Sequence, residues 1–100
     1  MTTVRLTSLA ERDLEAISDY VAQHNADAAT RLIADLSRAV SSLAEAPMRQ
    51  RVRTEYGGRG RRRLNRRGYA IIYVYDPGED VVDVERILHG RRNIVPLLIP

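Results

Sequence analysis

Two neighbouring segments in the second half of the chain constrain its fold most. Tyr69-Ala-Ile-Ile-Tyr-Val-Tyr75 is apolar on both rows of a β-strand: Tyr69, Ile71, Tyr73 and Tyr75 on one face, Ala70, Ile72 and Val74 on the other. A strand with two apolar faces belongs inside a sheet covered at least partly on each side. Asp76-Pro-Gly-Glu-Asp80 follows with its own turn chemistry, since proline presets φ and glycine supplies positive φ. Val81 to Leu88 then reads as the partner strand. Its rows are Val82, Val84, Arg86, Leu88 and Val81, Asp83, Glu85, Ile87. Arg86 thus falls on the more apolar row. A guanidinium there needs a partner, either an acid of the first helix such as Glu11 or Glu15, or a functional ligand.

A sheet of this kind must pack against something, and the first half of the chain supplies it. Val4 and Leu6 alternate with polar neighbours as a short strand. Ser8-Leu-Ala-Glu11 has the form of a capping box. Ala10, Leu14, Ile17 and Val21 then continue as one apolar face of a helix running to about Gln23. Asn25-Ala26-Asp27 is a tight break, with Asp27 placed to cap a second helix. Ala29, Leu32, Ile33, Leu36, Val40 and Leu43 form its stripe, and Pro47 ends it. Two helices joined by so short a break pack as an antiparallel hairpin.

Residues 48–60 read as a basic loop, Arg61 to Leu64 as a strand, and Asn65-Arg66-Arg67-Gly68 as a turn. After His89-Gly90-Arg91-Arg92-Asn93 comes an apolar tail, Ile94 to Pro100. The order strand, helix, helix, strand, strand, strand predicts an α+β fold: a helical hairpin on one face of a mainly antiparallel sheet. The other face is expected to stay open and to be lined by arginines. At 100 residues, without internal repeats or a long linker, the chain is expected to form one domain over 1–100.

Composition narrows the chemistry. Without cysteine there is no disulfide scaffold, cysteine nucleophile or thiolate zinc site. His24 and His89 lie far apart, so no metal site and no cofactor is expected. The N-terminal residues lack an apolar targeting region, and no apolar run is long enough to span a bilayer, which points to the cytoplasm. All 16 basic residues are arginine. Codon usage in a GC-rich genome accounts for that; so does selection for arginine's forked geometry. The net charge of +3 divides into −3 over residues 1–48 and +6 over residues 49–100. Residues 49–68 hold nine arginines (Arg49, Arg51, Arg53, Arg59, Arg61, Arg62, Arg63, Arg66 and Arg67) against the single acid Glu55. Such a segment is either a solvated basic loop or a surface for a polyanionic or acidic partner.

A second candidate cluster is Arg86, His89, Arg91 and Arg92, at a strand end feeding a glycine corner. His89 either moves protons near neutral pH or is a structural residue. The tyrosines at period two either stack bases or fill the core. RNA cleavage by a 2′-hydroxyl tests this inventory. It needs a base, an acid and positive charge at the phosphorane. Arginines give the charge but cannot act as a base. Lysine is absent, so His89 or a tyrosine would have to move both protons. Binding a polyanion is easy for this chain; cutting one is awkward.

The element order, the strand Tyr69-x-Ile71-x-Tyr73 and the ending Val84-Glu-Arg86-Ile-Leu-His89-Gly90-Arg91-Arg92-Asn93-Ile94 resemble the ParE branch of the RelE/ParE toxin superfamily. The resemblance covers nearly the whole chain. It implies a growth-inhibiting toxin of a type II toxin–antitoxin module of the plasmid-stabilization kind, held in a hetero-oligomer by a small cognate ParD-like antitoxin. In ParE proteins the implied action is inhibition of DNA gyrase, without catalysis. In RelE proteins it is cleavage of mRNA on the ribosome. Arg61 and Arg86 match the arginine positions of the nuclease branch, with His89 as its proton carrier. Yet no lysine exists and no tyrosine follows Tyr75, as in the ParE pattern. The residues expected to meet target or antitoxin are Arg61, Arg62, Arg63, Arg86, His89, Arg91 and Arg92. A third reading is a non-toxic basic module that binds nucleic acid or protein.

Overall fold

The computed structural model describes residues 1–99, so of the apolar tail only Pro100 lies outside the described residues. Strand β1 (Thr3–Leu6) leads into helices α1 (Ser8–Ala22) and α2 (Ala26–Ser42). Strands β2 (Arg62–Arg66), β3 (Tyr69–Asp76) and β4 (Val81–His89) follow, then a short helix α3 (Val95–Leu98). The sheet runs β1-β4-β3-β2. β1 is parallel to β4, while the other two pairings are antiparallel. This is the α+β helical hairpin on a mainly antiparallel sheet, with the strong hairpin strands β3 and β4 central. No helix among the described residues is long and apolar enough to cross a membrane.

Both helix starts sit slightly earlier than their sequence signals. The cap of α1 is Thr7, whose hydroxyl accepts from Ala10 N at 3.1 Å. Thr7 rather than Ser8 is chosen because its hydroxyl also donates to Glu85 O at 2.9 Å, tying the cap to β4. The cap of α2 is Asn25, not Asp27; Asn25 Oδ1 accepts from Ala28 N at 2.9 Å. α2 also ends before Pro47 is felt. Ser42 Oγ donates to Ala39 O at 2.6 Å, and the amides of Leu43, Ala44 and Glu45 bond three residues back. The chain tightens into turns there, which frees Ala46 to meet the proline in a non-helical state.

The largest departure from simple alternation is a β-bulge. Ile72 pairs with Arg86 but Tyr73 pairs with Val84, so Glu85 has no partner opposite. The extra residue shifts the rows of β4. Val82, Val84 and Ile87 therefore all face the helices. They pack with Ile71, Tyr73, Ala10, Ala39, Val40 and Leu43 in the main core. Leu88 turns to the opposite face.

That opposite face is not open. Ala70, Ile72 and Leu88 are covered by Tyr56 and Ile94, with Leu97 and Leu98 of α3 packed against them. The apolar tail folds back because β3 and β4 have apolar residues on both rows, and this surface would otherwise stay in water. The basic loop is partly structured as well: Thr54–Tyr56 is a 3₁₀ turn, and Val52 forms an isolated bridge to Arg62. Tyr69, Tyr73 and Tyr75 face the hairpin and serve as core filler rather than as a stacking surface.

Candidate functional site: the arginine-rich end of the sheet

The arginines divide into those that hold the fold together and those left free. Arg86 belongs to the first group. Where β1 stops, α1 lies beside the free edge of β4. Asp13 accepts from Arg86 Nε at 2.8 Å and from Nη2 at 3.0 Å, and its Oδ2 also accepts from Ile87 N at 2.9 Å. One carboxylate thus neutralises a half-buried cation and supplies the acceptor that a longer β1 would have given. The Asp13 hydrogen bond, more than the opposing burial, holds the Arg86 guanidinium above its ordinary pKa. The partner is a first-helix acid, but neither Glu11 nor Glu15. Those two are exposed, whereas Asp13 stands three residues after Ala10 and four before Ile17, on the inward stripe.

Arg61 is also internal. It is only 9% exposed. Its Nε donates to Glu85 Oε1 at 2.6 Å and its Nη1 to Tyr56 O at 2.7 Å. The bulge is what aims Glu85 at this guanidinium, and Arg59 reaches the same carboxylate at 2.9 Å. Asp35 on α2 is shared by Arg38, Arg66 and Arg67. Arg51 and Arg53 share Glu55. Each of these carboxylates serves two or three guanidiniums, so the segment remains strongly positive despite its ion pairs.

Five arginines of the basic half have no carboxylate within ion-pair distance among the described residues: Arg49, Arg62, Arg63, Arg91 and Arg92. Arg62 donates to the carbonyls of Met48 and Gln50. Arg63 donates to Asn65 Oδ1, Tyr56 Oη and Gly90 O. Arg91 and Arg92 project from the exposed corner after β4. His89 is exposed beside them. Its ring meets Tyr69 edge-on with centroids 5.5 Å apart, and Nδ1 accepts from Arg91 N at 3.2 Å. Two grooves meet at His89. One, of about 450 Å³, runs along α1 past Tyr20, Ile17 and Arg92. The other, of about 410 Å³, lies on the opposite side between Arg63 and Arg91.

The sequence singled out these arginines as one group, but did not tell which of them are paired with carboxylates. Arg62, Arg63, His89, Arg91 and Arg92 lie at or near the surface; Arg61 and Arg86 are committed to Glu85 and Asp13. The partners Asp35 and Glu85 were not foreseen. Glu85 left no signal, because a bulge cannot be read from alternation.

Over residues 4–94 the chain matches the family described as ParE toxin of type II toxin–antitoxin system, parDE. It belongs to the ParE toxin family. Two solved structures share its fold. One is from the chromosomal ParDE system of P. aeruginosa, with TM-score 0.72 and 23% identity, covering 89% of this chain and 96% of that one. The other is from the RelBE2 toxin–antitoxin complex of Mycobacterium tuberculosis, with TM-score 0.66 and 26% identity, covering 88% and 90%. No curated protein matches at a significant level. As a ParE-family toxin, the chain keeps the helical hairpin and four-stranded sheet of these structures. Arg63, Arg91 and Arg92, which have no carboxylate partner among the described residues, line the grooves at the His89 end of that sheet.

Proposed function

We propose that this toxin acts by binding and poisoning DNA gyrase in the cytoplasm, and that a small ParD-type antitoxin silences it in a hetero-oligomer. Membership of the ParE family supports the reading. The observation that carries it further is the commitment of Arg61 and Arg86 to internal carboxylates. A nuclease would need those arginines to bear charge on a phosphorane, and here Glu85 and Asp13 already satisfy them. His89 is then left with Tyr69, packed edge-on against it, and Asp13, already bound to Arg86, as the other acid–base groups of its groove among the described residues. A surface that binds and blocks needs only the free arginines.

The antitoxin reading draws on the solved relatives, which come from a toxin–antitoxin system and a toxin–antitoxin complex. The second face of the sheet, expected to be open, is covered by Tyr56, Ile94 and α3, so an antitoxin would meet the charges around it rather than the sheet itself. The charges without a carboxylate partner among the described residues, Arg63 and Arg91 beside that face and Arg62 and Arg92 on the helix side, are the surface we assign to target and antitoxin.

The test is induction in bacteria with and without the antitoxin, scoring growth, DNA breaks and mRNA ends together. The expected result is growth arrest with early DNA breaks while translation continues, relieved by the antitoxin. Rapid translation arrest with cut messages, lost in His89→Ala, would instead establish the ribosome-dependent nuclease. Normal growth would leave the non-toxic binding module.

A further inference from the structure

The geometry points to a phosphodiester site, fitted to the backbone of duplex DNA, on the Gly90 side of the sheet end. It rests on the gyrase reading in one respect: it has the toxin touch the DNA on which that enzyme acts, as well as the protein.

The site begins with Arg63. Its guanidinium is held by Asn65 Oδ1 at 2.7 Å from Nε and by Tyr56 Oη at 3.0 Å from Nη1. A further bond from Nη2 reaches Gly90 O at 3.4 Å. All three partners are neutral, so the cation is fixed in place without being neutralised. A preorganised charge loses little freedom on meeting its ligand. Gly90 makes this approach possible. Its N donates to Gly68 O at 2.8 Å, and a Cβ there would come within 3.1 Å of that carbonyl and 3.3 Å of Arg63 Nη2.

The surrounding space of about 410 Å³ is lined by Arg63, Asn65, Gly68, His89, Gly90 and Arg91. The polar side-chain capacity left there is donor capacity. Asn65 spends its oxygen on Arg63 and keeps its amide hydrogens. A neutral His89 that accepts at Nδ1 carries its proton on Nε2. Arg91 has no carboxylate partner among the described residues. Donors alone, with two unneutralised guanidiniums, select an anion.

Two features choose the source of that anion. No aliphatic side chain lines the space, so it lacks the apolar anchor that the centre of a protein interface needs. No tyrosine lines it among the described residues: Tyr69, Tyr73 and Tyr75 face the helices and Tyr56 is buried, so the only flat surfaces offered to an unpaired base are the small His89 ring, already edge-on to Tyr69, and the guanidiniums. A donor-lined space with so little stacking surface favours contact with the phosphates of a duplex, independent of sequence.

The experiment titrates the purified toxin against a fluorescent duplex of arbitrary sequence, with single-stranded RNA and polyglutamate as competitors, over a range of salt. Duplex binding should weaken linearly on a logarithmic salt scale. Arg91→Gln and Arg63→Gln should each lower affinity about tenfold and reduce the salt slope by about one. Arg31→Gln, at an exposed position of α2 without a carboxylate partner among the described residues, should leave both unchanged. Circular dichroism of Arg63→Gln checks that it folds, and Arg91→Gln stands alone if it does not. Duplex affinity indifferent to both cradle variants, or equal loss in Arg31→Gln, overturns the site. So does stronger binding of RNA or of polyglutamate. The assay contains no gyrase, so its outcome is independent of the DNA breaks scored on induction.

Discussion

Tyr73 shows what a single residue contributes when packing and polarity disagree. Its ring is fully buried in the main core, while its hydroxyl makes no hydrogen bond of good geometry among the described residues, with the Gln50 backbone as a polar neighbour. In a chain without phenylalanine or tryptophan, tyrosine supplies the bulk that the core requires and brings an unwanted polar atom with it. Tyr73→Phe should therefore raise stability by about 1 kcal/mol in urea denaturation at neutral pH. Burial also holds this phenol above its ordinary pKa, with the Arg62 guanidinium pulling the other way. The unfolded chain ionises first, so stability should fall as pH rises through about 10. Tyr75 adds to that fall, because its hydroxyl donates to Asp80 and its pKa is likewise raised. Tyr73→Phe should make the decline shallower. A variant less stable than the parent at pH 7 would show that the hydroxyl has a partner.

At the scale of elements, the turns and edges set where charged side chains can reach. The β2–β3 hairpin turns on Arg67 and Gly68, with φ of 55° and 82°. Positive φ at both central residues is the type I′ pattern, which favours asparagine and glycine over a long side chain in the first place. Arg67 tolerates the strain while its guanidinium reaches Asp35, a carboxylate that Arg66 and Arg38 also serve. Arg67→Asn should relieve the backbone and lose only a shared, exposed contact. The expected gain is about 0.5 kcal/mol, read as a higher thermal midpoint. A loss would mean that the Asp35 contact outweighs the turn. The opposite edge is managed differently. β1 is short, and Asp13 takes over its hydrogen-bonding duty at Ile87. The bulge beside it turns Glu85 towards Arg61, so the two arginines most like catalytic groups become parts of the frame.

For the whole molecule, the acidic hairpin and the basic half carry the sheet between them. The internal carboxylates leave the sheet end positive, and an acidic antitoxin should be steered to it at long range. Association of toxin and antitoxin should slow as salt is added. Arg91→Gln with Arg92→Gln should lower the association rate by up to about tenfold at low salt, with dissociation little changed. Stopped-flow mixing measures both rates. A pure effect on dissociation would place these arginines inside the interface rather than at its rim.

Periodicity was enough to reveal the helical hairpin, the β3–β4 hairpin and the α+β arrangement, because amphipathic spacing is a local property of the chain. The glycine corner after β4 and the excess of arginine were also written in the sequence, and the fold brings part of that excess to the sheet end that carries the corner. Other features depend on which segments meet. The bulge at Glu85 appears only when two strands are paired. The sequence pointed to Glu11 or Glu15 for Arg86; Asp13 became the partner only because β4 lies against the inward stripe of α1. The covering of the second face by α3 arose from apolar surface that the central strands could not hide alone. Local pattern determined the elements and the sign of the charge. Tertiary contacts decided which arginines are neutralised, since pairing with a carboxylate depends on distances that the chain sets only when it folds.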